Sequence, residues 1–327
     1  MRTLRESILA DMDDTLQSGN EAIKDSIKQW LKENLSVGSS NYKISEKPNK
    51  DGKYKVSFKK YIGFKEKATS LTNGMFIWTA TLHSSFNCSS CPELKSLEGA
   101  PEKVGIFNCS YCKNLTSLKG APKEVGEHFD CGCCNSLKTL EGAPKTVHGK
   151  FSCYSCNSLT SLEGAPKIVG GYFICYYCYN LTSLKGTPET VGGDFYCNNC
   201  YNLTSLEGAP KTIGGDFYCY GCNSLKTLEG APKTVHGKFT CHSCNSLTSL
   251  EGAPKEVGGN FECSYCSKLI SLEGGPEKVG RNFDCEYCDS LTSLKGAPKV
   301  VGGNIHCDYC KKLKITKLDI KKYLSKA

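Results

Sequence analysis

The stretch FYCNNCYNLTSLEGAPKTIGGD, which spans residues 195–216, decides the fold, because near copies of it follow one another through most of the chain. Each copy carries one Cys-x-x-Cys pair, and successive pairs are 22 residues apart, although the first copy is one residue shorter. A fixed period between roughly 20 and 50 residues is typical of a solenoid or another repeat array. The eleven pairs begin at residues 88, 109, 131, 153, 175, 197, 219, 241, 263, 285 and 307.

Within one copy, the apolar residues occupy fixed places. Phe195 and Cys197 are separated by one residue, as in a strand with one buried face. The Leu-x-x-Leu segment continues the inward face around a bend, and Gly208-Ala209-Pro210 interrupts regular structure. The pair Gly214-Gly215, before the next Phe, is expected to form a tight corner at positive φ. Each copy therefore predicts one strand, one cysteine-bearing turn and one extended return, which bury their apolar faces by stacking.

The repeat resembles the leucine-rich repeat family, whose core L-x-x-L-x-L-x-x-(N/C)-x-L maps onto Phe195, Cys197 and Cys200, with Leu203 near its last leucine. The return is similar to the short extended return of leucine-rich repeats in secreted bacterial effectors. The wording LTSLEGAP also resembles repeat proteins of gut bacteriophages and bacteria, a family that carries no activity to transfer. The resemblance implies a mainly β fold, a leucine-rich-repeat-like parallel β solenoid of about eleven turns with a small N-terminal α + β cap.

Two segments precede the array. Residues 1–38 carry apolar residues at helical spacing and predict two short helices, separated by a break at Ser18-Gly19-Asn20 with Asn20 as the N-cap of the second. Residues 39–85 predict a β-hairpin around Asn49–Gly52, followed by a degenerate repeat at Ala68–Gly74. Such a repeat would cover the first apolar edge of the solenoid.

The net charge of +8 is unevenly distributed. Residues 1–85 carry +4, the predicted solenoid at residues 86–310 carries −2, and the predicted basic closing helix at residues 311–327 carries +6. A protein that binds nucleic acid usually has a basic stripe along its working face. A nucleic-acid partner is therefore not expected.

The sequence contains no run of 18 apolar residues, and its first residues lack the apolar segment of a signal peptide. We therefore expect a cytoplasmic protein, in a cell or encoded by a phage, with no membrane partner. In a reducing compartment, 23 cysteines indicate thiols or metal ligands rather than a disulfide framework.

The cysteine pairs have three interpretations. They are small buried hydrophobes, ligands for zinc or iron in four-cysteine sites shared by neighbouring turns, or disulfides within or between turns. In the first interpretation the protein has no cofactor. Cys133, the one cysteine outside the pairs, is a candidate for an exposed thiol. The candidate metal ligands in the middle of the array are Cys153, Cys156, Cys175, Cys178, Cys197, Cys200, Cys219 and Cys222.

Residues that vary between otherwise similar turns flank the Phe and the cysteines, and in the middle of the array many of them are tyrosines. Adjacent turns would align these side chains on the strand face and its following turn. Tyrosine-rich exposed patches are typical of recognition surfaces, but tyrosines also stack into ladders that only stabilise a sheet. The candidate binding residues are Tyr172, Tyr176, Tyr177, Tyr179, Tyr196, Tyr201, Tyr218 and Tyr220.

The preferred hypothesis is a non-enzymatic scaffold that binds a protein partner through these tyrosines. The alternatives are a metal-binding solenoid and a structural component docked into an assembly by its N-terminal helices. No catalytic residues are predicted. Asp11-Met12-Asp13-Asp14-Thr15 resembles the nucleophile motif of haloacid-dehalogenase-like phosphatases, but about 70 residues before the array are too few for the sheet that such a site needs. Residues 135–151 and 223–239 are identical, which suggests duplication of whole blocks of turns and suits a scaffold.

Overall fold

The computed structural model describes residues 4–36 and 41–314, and it shows a parallel β solenoid of about twelve turns behind one N-terminal helix. Each turn buries one face and hydrogen-bonds its backbone to the turns on either side. Equivalent residues lie directly opposite each other, so that Phe195 pairs with Phe173 and Phe217. The predicted fold class is therefore confirmed, with one more turn than the eleven cysteine pairs, because Tyr61–Gly63 pairs with the first of them.

One row of strands, the front strands, carries the Phe of each repeat. All neighbours in this row are parallel. The front strands are β3 (Tyr61–Gly63), β5 (Ser85–Asn87), β6 (Lys103–Asn108), β7 (Glu124–Asp130), β9 (Phe151–Ser152), β11 (Phe173–Ile174), β13 (Phe195–Tyr196), β15 (Phe217–Tyr218), β17 (Phe239–Thr240), β19 (Phe261–Glu262), β21 (Phe283–Asp284) and β23 (Ile305–His306).

A second row of short strands lies in the return, which the sequence predicted as extended. The in-register stacking of turns brings the Val of each return beside the Val of the next, so their backbones pair as well. In β6 and β7 the two rows merge into one longer strand. The return strands are β8 (Thr146–Val147), β10 (Ile168–Val169), β12 (Thr190–Val191), β14 (Thr212–Ile213), β16 (Thr234–Val235), β18 (Glu256–Val257), β20 (Lys278–Val279) and β22 (Val300–Val301).

The core is a set of parallel rows of identical residues. The repeat's Phe, both paired cysteines, both leucines and the Val of the return are buried along the array. Neighbouring Phe rings stack in a continuous column, with centroids 5.3 Å apart for Phe195 and Phe217. Because each turn offers the same apolar set to the next, the column stabilises the fold without any one central contact.

The glycine pairs before the Phe residues do not have positive φ, so that prediction is wrong. They are required by close approach: a Cβ on Gly192 would lie 2.1 Å from the carbonyl oxygen of Gly170 in the preceding turn. The left-handed glycine is the one in Gly-Ala-Pro, as at Gly208 with φ 89°.

The N-terminal segment forms a single helix, α1 (Leu4–Asn34), and the predicted break at Ser18-Gly19-Asn20 is wrong. Glycine and asparagine inside a helix cost only about 0.5–1 kcal/mol each relative to alanine. The Asn20 side chain does not act as an N-cap, because its Oδ1 accepts a hydrogen bond from the Tyr54 hydroxyl at 2.9 Å. The Asp11–Leu16 segment lies within this helix, so the strand that a phosphatase motif requires is absent there.

The C-terminal half of α1 packs on the first turns of the solenoid. Ile27 and Leu31 are buried, and the Trp30 ring lies 5.4 Å from that of Phe76. Ile23, predicted on the same face, is 40% exposed. Of the predicted stripe of Leu4, Ile8, Met12 and Leu16, only Leu16 has a described side chain, and it is 62% exposed. Whether the helix also docks this protein into an assembly stays a prediction.

A three-stranded sheet, β1 (Tyr42–Ile44), β2 (Tyr54–Phe58) and β4 (Phe76–Thr79), completes the N-terminal cap. The antiparallel pairing of β1 with β2 confirms the predicted hairpin. Ala68 and Leu71 of the degenerate repeat are buried, as in a regular turn. At the other end, the closing helix was predicted at residues 311–327; residues 311–314 form a turn and irregular backbone, and the remainder lies outside the described residues. No helix within the described part of the chain is long and apolar enough to span a membrane.

Candidate functional site

The eight predicted tyrosines all lie outside the core, on the front strands and the turns that follow them. A front strand buries its Phe and first Cys, and the residue between them therefore points outward. We define the front face by five positions in each of the nine turns that carry the cysteine pairs from Cys131–Cys134 to Cys307–Cys310. Two of these positions are the residues before and after the Phe, whose place is taken by Ile305 in the last turn. The other three are the two residues between the cysteines and the residue after the second cysteine. Tyr172, Tyr177, Tyr179 and Tyr201 are exposed, whereas Tyr176, Tyr196, Tyr218 and Tyr220 are partly exposed.

The residue before the second cysteine occupies a strained position in almost every turn. Tyr177 has φ 56°, and its counterparts in the other turns also adopt the left-handed conformation. That conformation costs roughly 1–2 kcal/mol in a residue other than glycine. A backbone bond from Tyr177 N–H to the Asn198 carbonyl, 3.1 Å long, holds the turn in place. The turn thereby carries the tyrosine ring outward, away from the core.

The tyrosines of the turns form one contact group. Tyr179 and Tyr201 stack with centroids 4.9 Å apart, and the edge of Tyr177 contacts both Tyr176 and Tyr179. Tyr154, which the sequence reasoning omitted, contacts Tyr176 at 5.4 Å. Its register, one repeat before Tyr176, was the signal that could have identified it.

A second group consists of two tyrosines on the strands, Tyr196 and Tyr218, together with Tyr172 and Tyr220 beside them. Tyr196 and Tyr218 stack almost in parallel at 4.6 Å, and Tyr172 meets Tyr196 edge-on at 6.3 Å. Tyr220 contacts Tyr218 at 6.5 Å and stacks on His242 at 4.6 Å. His242 was also missed, although it occupies the register of Tyr220 in the next turn.

Two carboxylates accept hydrogen bonds from the hydroxyl groups of the stacked pair Tyr196 and Tyr218. Tyr196 donates to Asp194 and Tyr218 donates to Asp216, each over 2.8 Å. The Asp194 carboxylate also accepts the backbone N–H of Asp216 at 2.8 Å, which links the two turns. Burial and the neighbouring carboxylates raise the pKa of both phenols well above the usual range, so these tyrosines remain donors at physiological pH.

A separate aromatic column lies near the C-terminal end of the front face. Tyr265, Tyr287 and Tyr309 stack successively at 4.6 Å, and each occupies the left-handed position of its turn. These three tyrosines are not among the candidate binding residues, all of which lie in the middle of the array. Their spacing of 22 residues, shared with Tyr177, was the available signal.

The cysteine pairs form two buried columns. The second cysteine of each pair donates its thiol hydrogen to a backbone carbonyl of the preceding turn, that of the first cysteine in its pair. Thus Cys200 Sγ lies 3.3 Å from the Cys175 oxygen, and Cys222 Sγ lies 3.2 Å from the Cys197 oxygen. The same bond recurs in every turn from Cys112 to Cys310. A protonated thiol is therefore a structural donor here.

Burial raises the pKa of most of these thiols, for example that of Cys222 to about 12. All eight candidate metal ligands are buried, and all 23 cysteines are free. Among the described residues, no three histidine, cysteine, aspartate or glutamate side chains converge as ligands. A four-cysteine zinc or iron site would require deprotonated sulfurs and would replace these thiol–carbonyl bonds. The metal hypothesis stays a prediction.

Thiol titration of the native protein, purified under reductant without added metal, is expected to modify Cys133 first and the paired cysteines only after denaturation. Cys133 is partly exposed, whereas the paired cysteines have at most 8% of their surface exposed. The control is Cys133→Ser, because serine stands at the equivalent position of two other turns, as Ser155 and Ser243. Metal analysis of the same sample completes the test, because stoichiometric zinc or iron with protected thiols would favour the metal hypothesis instead.

The architecture defines the fold of this protein, a parallel β solenoid with a cysteine-lined core. No family model matches the chain, and no curated protein matches it. Among solved structures, it is similar to a leucine-rich repeat protein from Bacteroides ovatus ATCC 8483, at 13% identity and a TM-score of 0.30, with 85% of this chain and 93% of that chain covered.

Proposed function

We propose that this protein is a non-enzymatic interaction scaffold of the short, cysteine-type leucine-rich repeats, and that its front face binds a protein partner. The observation that carries the proposal is the grouping of the eight predicted tyrosines, with Tyr154 and His242, into two contacting clusters on one surface. Solenoids present extended surfaces of this kind to their partners. Tyrosine offers a large, rigid contact area and loses little conformational entropy on binding.

A purely structural role for the tyrosines accounts for the stacked pairs but leaves other features unexplained. Tyr172 is 49% exposed and Tyr177 is 39% exposed, so a large part of each ring contacts nothing in the described chain. The proposal also places the protein in a reducing compartment such as the cytoplasm, where buried thiols remain free.

A displayed library of random twelve-residue peptides selected on the wild-type protein tests this proposal. Selected peptides are expected to lose at least tenfold in affinity on the variant Tyr177→Ser/Tyr179→Asn/Tyr201→Asn. These substitutions copy the residues found in register in other turns, such as Ser155, Asn157 and Asn223, so the fold is expected to remain intact.

The matched control changes three exposed residues of the return, Ile168→Thr, Ile270→Thr and Val300→Thr, and is expected to bind as the wild type does. Selected peptides that bind the tyrosine variant as tightly as the wild type would contradict the proposal.

A further inference from the structure

The front face is acidic in a chain whose net charge is +8. The five front-face positions of the nine turns that carry the cysteine pairs from Cys131–Cys134 to Cys307–Cys310 contain eight carboxylates and three lysines. The carboxylates are Asp130, Asp194, Asp216, Glu262, Asp284, Glu286, Asp289 and Asp308. The lysines are Lys150, Lys238 and Lys311. Acidic and aromatic side chains therefore share one surface.

Most of these carboxylates lack a cationic partner among the described residues. The ion pairs on the face involve Asp130, Glu262 and Asp289, and the other five carboxylates form none. The return differs, because its glutamates pair with lysines of adjacent turns, as Glu189 does with Lys211 at 2.8 Å. Charge is thus balanced on the return and left unbalanced on the front face.

Lys238 shows how a cation fits this surface. Its Nζ lies 5.2 Å from the centroid of the Tyr218 ring and 3.6 Å from the Glu262 carboxylate. A cation over an aromatic ring within about 6 Å is attracted by the ring's quadrupole. The positions equivalent to Lys238 in the two preceding turns are Asp216 and Asp194, so the chain supplies no cation there.

Two buried oxygens on the same face lack a hydrogen-bond partner within the described chain. They are Oδ1 of Asn198, a residue only 3% exposed, and Oγ1 of Thr240, a residue only 1% exposed. Asn198 occupies the register between Tyr176 and Tyr220, in the middle of the tyrosines. An unpaired buried acceptor destabilises the folded chain, because no hydrogen bond compensates for the loss of its hydration.

We infer that the front face binds an extended segment of another protein that carries arginine or lysine side chains. The inference rests on the proposed function and names the chemistry of the partner. The turns repeat about every 4.8 Å and an extended chain rises about 3.3 Å per residue, so three residues of the partner span two turns. A basic residue at every third position would therefore meet an equivalent site on every second turn.

The probe is a fluorescein-labelled peptide of four Arg-Gly-Ser repeats, measured by fluorescence anisotropy against the full chain. Its matched control replaces each arginine with citrulline, which has a similar planar shape and no charge. The arginine peptide is expected to bind at least tenfold more tightly, and its affinity is expected to fall as salt is raised.

Three variants locate the binding site. Asp194→Asn/Asp216→Asn/Asp284→Asn retains the side-chain oxygens that accept backbone N–H groups and is expected to weaken the arginine peptide at least tenfold. Its control, Glu163→Gln/Glu189→Gln/Glu277→Gln, removes the same charge from the return and is expected to have little effect. Lys238→Met removes the internal cation and is expected to strengthen binding several-fold.

The inference is overturned if the arginine and citrulline peptides bind equally, if neither binds, or if the front-face and return variants weaken binding alike. If the arginine and citrulline peptides bind equally, and both lose affinity for the variant Tyr177→Ser/Tyr179→Asn/Tyr201→Asn, only the basic character of the partner is rejected. The proposed function would then stand. Sedimentation provides a further test: a dimer that the front-face substitutions dissociate would identify a second copy of this chain as the occupant and would also overturn the inference.

Discussion

Raising the pH from 7.5 to 9.5 is expected to unfold much of the solenoid at temperatures where it is stable near neutrality. The buried thiols are the cause. Burial raises the pKa of Cys112, Cys222 and Cys266 to about 12, and that of Cys91 to about 11. In an unfolded chain the same thiols titrate near pH 8.5. Because the folded state keeps its protons while the unfolded state releases them, stability is complete below about pH 8.5 and falls as the pH rises toward the folded values.

The expected size of this effect is large because the thiols act together. Each thiol that ionises only on unfolding lowers the free energy of unfolding by about 1.4 kcal/mol per pH unit above 8.5. About ten such thiols at pH 9.5 would offset the roughly 5–15 kcal/mol that stabilises an ordinary domain.

Thermal melts under nitrogen with a phosphine reductant, at pH 7.5, 8.5 and 9.5, measure this loss. Replacing one pair, Cys219→Ala/Cys222→Ala, is expected to make the free energy of unfolding fall less steeply with pH, because about two fewer protons are released on unfolding. Cys133→Ser is the control, because it removes a partly exposed cysteine that lies outside the buried pairs. A melting temperature that stays constant up to pH 9.5 would show that the columns are not protonated thiols.

Gly230→Ala is expected to destabilise the array by more than about 3 kcal/mol, at the high end for a single substitution. Gly230 has φ 91°, which alanine adopts at a cost of about 1–2 kcal/mol. A Cβ there would also lie 2.4 Å from the Cα of Glu207 in the preceding turn. Since that contact is with backbone, no side-chain rotation relieves it, and the stacking of the two turns must change.

Gly74→Ala separates the two contributions. Gly74 has a similar φ of 85°, but no heavy atom lies within 4 Å of the position that its Cβ would take. This substitution is therefore expected to cost only about 1–2 kcal/mol, the conformational part alone. Denaturant unfolding of both variants gives the comparison, and equal losses would show that contact between turns does not restrict the glycine.

The outline of the fold was predictable because one period sets every turn. Once Phe195 and Cys197 are placed on the inward face of a strand, the 22-residue repeat places their counterparts too. The same register placed the tyrosines outside the core. Whether they bind a partner is a separate question, because stacking in register occurs in either case.

The errors came from positions where contacts between distant residues decide the local conformation. Gly19 and Asn20 carry a strong local signal for a helix break, yet the packing of Ile27 and Leu31 and the hydrogen bond that Asn20 accepts from Tyr54 are consistent with one continuous helix. The sequence predicted Gly192 to be a turn glycine with positive φ. Glycine is required there because a Cβ would contact the carbonyl oxygen of Gly170 in the neighbouring turn. Neither contact can be derived from residues adjacent in sequence.

The repeating bond from each second-position thiol to the adjacent turn has a consequence for the overall dimensions of the molecule. Since every turn meets its neighbours through the same backbone and sulfur contacts, gain or loss of a whole 22-residue unit would restore the same pattern of these contacts between the turns on either side of the change. Such a change would move the tyrosines relative to the helix-capped end in steps of about 4.8 Å. The distance between the helix-capped end and the tyrosines is thus set by the number of turns between them.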